Sequence, residues 1–314
     1  MKKAVFALPL LVLLVFRTNA DQIDISLRLN KGDSYKVKVV STSNIEQSIE
    51  GQTFDVESEM VTIATQTVDS VFDDGTYLIS MKYDSLHEET KSTSMPYLNE
   101  FGEDAASEMI NEVLVGKKFY FRLTPKWKIV DISGVDEIMQ GVIGAVLDQE
   151  EYKDQALELY PVIEEFLSQI VSEEALVEMF QHVSGAFPDE PVAVGSKWDQ
   201  SVSLNLGMAA MDVVTHYSLE EISAERIVLD FKSRVSKSDD IPTINLGPAE
   251  MKLSMEGEQN GKMVLDPVTF WPVKTTLEQD LAGDAEMVIP GMEGTGGMKI
   301  PMSTKTKTIM TTVE

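Results

Sequence analysis

The residue types that most often carry out catalysis are scarce in this chain. It has three histidines and no cysteine, so the ligand sets that zinc usually takes are not available from neighbouring residues. Glu178 and His182 lie four residues apart in a segment of helical periodicity, and a surface pair explains that spacing better than a metal site. The sequence therefore assigns no catalytic residue, no metal ligand and no cofactor site, and it favours a protein that is not an enzyme.

Other catalytic patterns are equally weak. Ser184-Gly185 follows a predicted helix and is typical of a helix end, not of a nucleophile elbow. The glycine-rich run Gly291–Lys299 fits neither the phosphate loop nor the dinucleotide fingerprint. Aspartate and glutamate number 52, so two carboxylates within the about 5–10 Å used in glycoside hydrolysis are expected by chance. A carboxylate-dependent hydrolase is therefore the least favoured of three functional hypotheses.

One segment has a composition suited to an apolar ligand. Between Met287 and Met302 the chain mixes methionine, glycine, proline and branched aliphatic residues, which together make an adaptable apolar surface. The simpler interpretation is a hairpin whose ends are paired strands; the alternative is a flap over an apolar cavity. The candidate ligand contacts are Met287, Ile289, Met292, Met298, Ile300 and Met302. Residues predicted to line such a cavity from helices are Met139, Val142, Ile143, Phe166 and Met179.

The N-terminus predicts export. Lys2 and Lys3 precede an apolar run from Ala4 to Phe16, and Thr18 and Ala20 are placed for signal-peptidase cleavage after residue 20. The run is shorter than the roughly 20 residues that span a bilayer, and no later stretch approaches that length. Because cysteine is absent, a lipid anchor through that residue and disulfides are excluded. We expect a periplasmic or secreted protein.

The charge balance limits the partners. With 26 basic and 52 acidic residues, the formal charge is −26, which repels nucleic acid and anionic membrane surfaces. The charges are spread along the chain, and 43% hydrophobic residues provide material for a packed core. The remaining partners are another protein, a polymer or an apolar ligand.

The first part of the mature chain has strand periodicity. Residues 35–40 alternate, and residues 54–72 and 77–83 flank the turn Asp73-Asp74-Gly75, which predicts a β-hairpin. A second hairpin is predicted from residues 118–123 and 127–130, on either side of the turn at Pro125.

The middle of the chain has helical periodicity. Apolar residues recur at helical spacing over residues 135–147, 156–170 and 176–183. Residues 186–194, with two prolines, form the best break, and strand patterns resume at Trp198. The predicted fold is therefore α+β: a large curved antiparallel sheet with a central helical segment, residues 135–184, packed on it. We expect residues 21–314 to form one domain, with β halves at 21–134 and 195–314.

The second half echoes the first. Gly32-Asp33-Ser34-Tyr35 is matched by Gly195-Ser196-Lys197-Trp198, and each precedes a strand. Later, Gly116-Lys117 and Gly261-Lys262 each introduce a strand, a turn with proline and a tryptophan, Trp127 or Trp271, at spacings that differ by one residue. This pattern predicts an internal duplication.

The chain resembles an uncharacterised, exported bacterial family of unknown function. The resemblance is carried by the run Phe187–Trp198, by Gly261–Pro267 and by Trp271–Lys274. These motifs are turn glycines and prolines beside a core tryptophan, so the resemblance implies no activity and no site residues. The favoured hypothesis is a non-catalytic envelope protein that binds another molecule or has a structural role. The alternative is a periplasmic carrier of a lipid or other apolar ligand.

Overall fold

The computed structural model describes residues 22–49, 51–92, 94, 111, 113–147, 177, 186–205, 209–238, 241, 243–246, 249–288 and 298–313. In the part described, the strands are β1 (Ser34–Ile49), β2 (Gln52–Val71), β3 (Tyr77–Lys91), β4 (Lys118–Leu123), β5 (Ile129–Ser133), β6 (Lys197–Asn205), β7 (Ala210–Ile222), β8 (Ile227–Lys237), β9 (Ile244–Leu246), β10 (Ala249–Leu265), β11 (Pro272–Val288) and β12 (Met298–Val313). Helix α1 (Val135–Leu147) lies between β5 and β6.

All twelve strands belong to one antiparallel sheet. Its order is β5-β4-β3-β2-β1-β12-β11-β10-β8-β7-β6, and β9 pairs with β10 beside this path. The two predicted hairpins are confirmed as β2–β3 and β4–β5. Strand β12 joins the halves, because it pairs with β1 on one side and with β11 on the other.

The predicted α+β class is wrong. Within the described ranges most residues lie in strands, and α1 is the one helix whose whole length is described. Val135 and Ile138 of α1 are buried against the core. Nearly all of the predicted helices at 156–170 and 176–183 lies outside the described residues. None of the described helices is long and apolar enough to cross a membrane.

Two irregular segments cover the sheet where a helical layer was expected. Ile23 and Val192 form a β-bridge with backbone hydrogen bonds of 2.8 and 2.9 Å. Leu27 donates its N–H to Pro125 in the β4–β5 turn, 2.8 Å away, and Ile25 is fully buried. Such segments satisfy their own backbone groups and bury apolar side chains without a periodic pattern. Residues 22–33 and 186–196 therefore close the core.

The sheet has two ends, which we call proximal and distal. The proximal end holds the β2–β3, β4–β5 and β10–β11 turns; the distal end holds the β1–β2 turn and the ends of β11 and β12 that lead into residues 289–297. The main core, which we call the proximal core, lies at the proximal end. It includes Trp271, which stacks on Tyr35 at a ring distance of 4.1 Å and meets Trp127 edge-on at 5.2 Å. A smaller core, which we call the distal core, lies near the distal end and contains Leu204, Val213, Val235, Met255 and Leu281.

The entries to the two halves have the same backbone geometry. The Gly32 N–H donates to the Val68 carbonyl and the Gly195 N–H to the Leu219 carbonyl, both at 2.8 Å. Both glycines have positive φ, 94° and 87°, a conformation that favours glycine. A register shift follows Val68 in β2 and Leu219 in β7.

The β4–β5 and β10–β11 turns also share backbone geometry, although they differ in length. Trp127 and Phe270 are left-handed, with φ of 60° and 59°, one residue before each turn closes. The closing bonds run from the Thr124 N–H to the Lys128 carbonyl and from the Asp266 N–H to the Trp271 carbonyl, both at 2.9 Å. The pairing of Trp127 with Trp271 is therefore wrong: Trp127 occupies the place of Phe270. The second turn contains one more residue than the first.

Candidate functional site

The two faces of the sheet differ sharply in charge. Side chains alternate between faces along a strand, and paired residues point the same way, so the register assigns each residue to a face. Every lysine and arginine of the described strands except Lys237 falls on one face, which we call the charged face. The other, which we call the neutral face, carries the proximal and distal cores.

A groove of about 750 Å³ lies on the charged face at the centre of the sheet, where residues of β1, β2, β3, β10, β11 and β12 line it. Cross-strand ion pairs join Lys307 to Glu278 at 2.8 Å and Lys305 to Asp280 at 3.9 Å. Three further carboxylates line the groove and take part in none of the ion pairs among the described residues: Glu57, Glu59 and Glu258.

A continuous row of uncharged polar side chains crosses the neutral face. Neighbouring members are register partners on nine consecutive strands from β3 to β6. We call this row the polar band; its members are Thr90, Ser58, Ser43, Thr306, Gln279, Gln259, Ser233, Thr215 and Gln200. Thr215 and Ser233 are buried and share a hydrogen bond of 2.8 Å, and Gln259 donates to Gln279 at 3.0 Å.

The polar band separates the proximal core from an apolar area at the distal end. On β10, β11 and β12 this area, which we call the distal patch, consists of alternate residues of each strand that the register places in adjoining rows. Its members are Met251, Leu253, Met255, Leu281, Ala285, Met287, Met298, Ile300 and Met302. Met255 and Leu281 are buried, whereas Met298 is 39% exposed and the others are half-buried. The neutral face therefore carries apolar, polar and again apolar zones.

The structure brings four of the six predicted ligand contacts into the distal patch. Met287 pairs with Met298, and Met302 packs against the distal core. Ile289 and Met292 lie outside the described residues. The ends of the segment are paired strands, as in the simpler interpretation of the sequence. Of the predicted cavity residues, Met139, Val142 and Ile143 fall in α1, and Phe166 and Met179 lie outside the described part.

Sequence reasoning missed the contribution of β10 to this area. Met251, Leu253 and Met255 alternate with polar residues, which is the pattern of a strand with one apolar face. That signal was present in the sequence. Their proximity to Met287 and Met298 comes from register, which alternation alone does not supply.

The described carboxyl groups do not have the pattern that a hydrolase needs. Such an enzyme has one carboxyl group whose pKa is raised beside another that stays ionised. Every described carboxyl group whose pKa departs from its ordinary value is lowered: Asp24, Asp74, Asp84, Glu89, Glu221 and Asp266. In four of these a side-chain hydrogen bond is the main cause; burial raises the pKa of Asp84 and Asp266, but hydrogen bonds outweigh it.

The histidines do not form a site among the described residues. His216 Nδ1 lies 2.6 Å from Asp199 Oδ1 on the charged face, and both side chains are exposed. Surface pairs of this kind contribute little. Within the described ranges no group of three or more His, Asp or Glu residues is arranged to hold a metal ion. Glu178 and His182 lie outside those ranges.

Fold and surface together define an all-β protein built on one large antiparallel sheet with a charged and a neutral face. The chain belongs to DUF6263, a family of unknown function whose model matches residues 74–272. No curated protein sequence matches it.

Solved structures offer only distant likenesses. Lipovitellin, a protein with lipid–protein interactions, is 10% identical with a TM-score of 0.47; the match covers 91% of this chain and 26% of that one. OmpF of Salmonella typhi in complex with daunomycin is 8% identical with a TM-score of 0.25, covering 89% and 98%. DynF of Micromonospora chersina is 6% identical with a TM-score of 0.20, covering 93% and 85%. These values support no functional argument.

Proposed function

We propose that the chain is an exported, non-catalytic binding protein of the cell envelope and that the distal patch binds an apolar or amphipathic molecule. One observation carries the proposal: the distal patch and the polar band lie side by side on a face almost free of charge. An apolar chain on the patch gains about 25 cal/mol per Å² of buried surface. An uncharged polar head placed toward the band meets hydroxyl and amide groups. A ligand with a charged head is disfavoured there.

The proposed ligand binds on an open surface, the distal patch, and not inside an enclosed cavity. The carrier hypothesis expected an apolar cavity beneath residues 287–302, but the grooves of about 750 and 740 Å³ are lined mainly by charged-face residues. The half-buried state of Met287 and Ile300 supports a shallow binding surface. Apolar side chains left partly exposed beside one another commonly mark interaction sites.

The test is direct binding by the mature chain, Asp21–Glu314. Native mass spectrometry with solvent extraction is expected to find a co-purified lipid or other amphiphile with an uncharged head. The neutral fluorophore N-phenyl-1-naphthylamine provides a defined probe. Ile300→Ser is expected to weaken probe binding about tenfold, because it removes most of one buried aliphatic side chain. The adjacent Lys299→Ser on the charged face is the control, expected to change the Kd less than about twofold. Equal effects, or no binding by the native chain, would overturn the proposal.

A second candidate function is favoured by the groove on the charged face. Glu57, Glu59 and Glu258 supply negative charge without ion-pair partners among the described residues, and amide side chains lie beside them. This supports a basic protein segment as partner. Binding of a lysine-rich peptide that falls steeply with salt and is lost in Glu57→Gln/Glu59→Gln would favour this function.

The proposal includes an internal duplication of the two β halves. It is supported by the matching glycine hydrogen bonds, the register shifts after Val68 and Leu219, and the left-handed Trp127 and Phe270. The equivalent strands also follow the same spatial order on either side of β12.

A further inference from the structure

We propose that Met251, Met287 and Met298 form a site for a soft monovalent metal ion, Cu(I) or Ag(I). Met287 is the register partner of Met298 on one side and of Met251 on the other. The three residues therefore lie on adjacent strands in one row of the neutral face, which we call the methionine row.

The spacing of the strands allows three sulfur atoms to converge. Directly opposite residues in an antiparallel sheet have Cβ atoms about 4.5–5.5 Å apart. Methionine is unbranched and has three rotatable side-chain bonds, so the two outer thioethers can lean over the central one. A three-sulfur site is a common outcome for Cu(I), which soft thioether ligands select.

The surroundings favour a soft ion over a hard one. The neighbouring row is Ile300, Ala285 and Leu253, which supplies no oxygen ligand from its side chains. Calcium and magnesium require several oxygen ligands, which this row lacks. Met298 is 39% exposed and the other two are half-buried, so the row is accessible and is not explained by core packing alone. The formal charge of −26 raises the local concentration of cations.

Thioether coordination has a distinctive pH dependence. A thiolate or imidazole must lose a proton before it binds a metal, so its affinity falls in acid. A thioether carries no proton, and coordination only forms metal–sulfur bonds without a change in the oxidation state of the ion. Binding by the methionine row is therefore expected to be nearly constant between about pH 5 and pH 8.

The test uses the full mature chain and Ag(I), with Cu(I) in competition with a bathocuproine chelator. We expect one bound metal ion per chain in native mass spectrometry, and X-ray absorption showing sulfur ligands alone. Met287→Leu keeps the apolar volume but removes the central sulfur, and it is expected to weaken binding at least about a hundredfold. Met60→Leu on β2, outside the row, is the control and is expected to bind like the native chain.

Two results would overturn the site: native-like binding by Met287→Leu, or an affinity that falls steeply in acid. The methionine row lies within the distal patch, so the two proposals share a surface and are separated by their readouts. Loss of metal binding in Met287→Leu supports the site whether or not the probe still binds. Loss of probe binding in Ile300→Ser, which removes no sulfur, bears only on the ligand proposal.

Discussion

In the first half of the sheet β4 and β5 have six and five residues, whereas β10 and β11 in the second half have seventeen each. The turn that joins each pair lies at the proximal end and has the same closing hydrogen bonds. The halves therefore agree where the main core is built and differ where β10 and β11 continue past the polar band. The features proposed to bind ligands, the distal patch and the methionine row, lie on this extension and on β12.

Strands β10 and β11 are in close contact on both sides of the polar band. A Cβ added to Gly261 would lie 2.2 Å from the Thr276 carbonyl oxygen and 2.4 Å from the Phe231 ring. One added to Gly283 would lie 1.8 Å from the Ser254 oxygen. The short strands β4 and β5 contain no glycine in such contact, so the second half has packing constraints that the first half lacks.

The largest expected effect is a loss of stability when a glycine of β10 is replaced, compared with the same change beside β4. Gly261→Ala is expected to lower the free energy of unfolding by about 3 kcal/mol, because backbone and ring must both move. Gly116, which the sequence comparison matched with Gly261, precedes β4 and has nothing within 4 Å of an added Cβ, so Gly116→Ala carries only the strain of a φ of 82°. That strain is about 1 kcal/mol. Urea denaturation of both variants measures the difference, and equal losses would refute the contrast.

A smaller effect on stability tests whether the β4–β5 and β10–β11 turns have the same backbone strain. Trp127 and Phe270 both have φ near 60°. Changing each to alanine and to glycine removes the ring in both cases, so the difference between the two variants reports on the backbone. Glycine is expected to be more stable than alanine by about 0.5–1 kcal/mol at both positions, because it avoids the left-handed penalty. The free energies of unfolding of the four variants provide the measurement. A glycine advantage at only one position would show that the turns are not equivalent.

The sequence predicted local structure better than arrangement. Asp73-Asp74-Gly75 and Pro125 marked the turns of two hairpins, and helical spacing at Val135 marked α1 correctly. The α+β class was wrong because periodicity does not say what covers a sheet. Residues 22–33 and 186–196 bury Ile25 and Phe187 with no periodic signal.

The candidate site was predictable only in part, for a related reason. Met287, Met298, Ile300 and Met302 stand out by composition over a short stretch of chain. The polar band does not stand out in the sequence. Its two end members, Thr90 and Gln200, are more than one hundred residues apart and belong to one row only through the register of nine strands. Alternation assigns a residue to a face, but long-range pairing determines its neighbours there.

The smallest expected effect concerns the side chains that stabilise the β10–β11 and β4–β5 turns. Asp266 accepts hydrogen bonds from the backbone N–H groups of Val268 and Thr269, at 2.9 and 2.7 Å. Burial raises the pKa of Asp266, but these bonds and the Thr269 hydroxyl outweigh it and lower the pKa below its ordinary 3.8. In the first half Thr124 holds the same place and accepts from the Lys128 N–H at 3.1 Å without a titratable group.

The turns should therefore differ in acid. A lowered folded-state pKa stabilises the ionised form, so the contribution of Asp266 is present above about pH 4 and is lost as the pH falls through the lowered pKa. Asp266→Asn is expected to lose about 0.5 kcal/mol of unfolding free energy at pH 7 and to approach the native chain as the pH falls through the lowered pKa of Asp266. Thr124→Ala is expected to lose the same amount at pH 7 and in acid. A difference between Asp266→Asn and the native chain that persists unchanged into acid would show that the shape of the carboxyl group, and not its charge, stabilises the second turn.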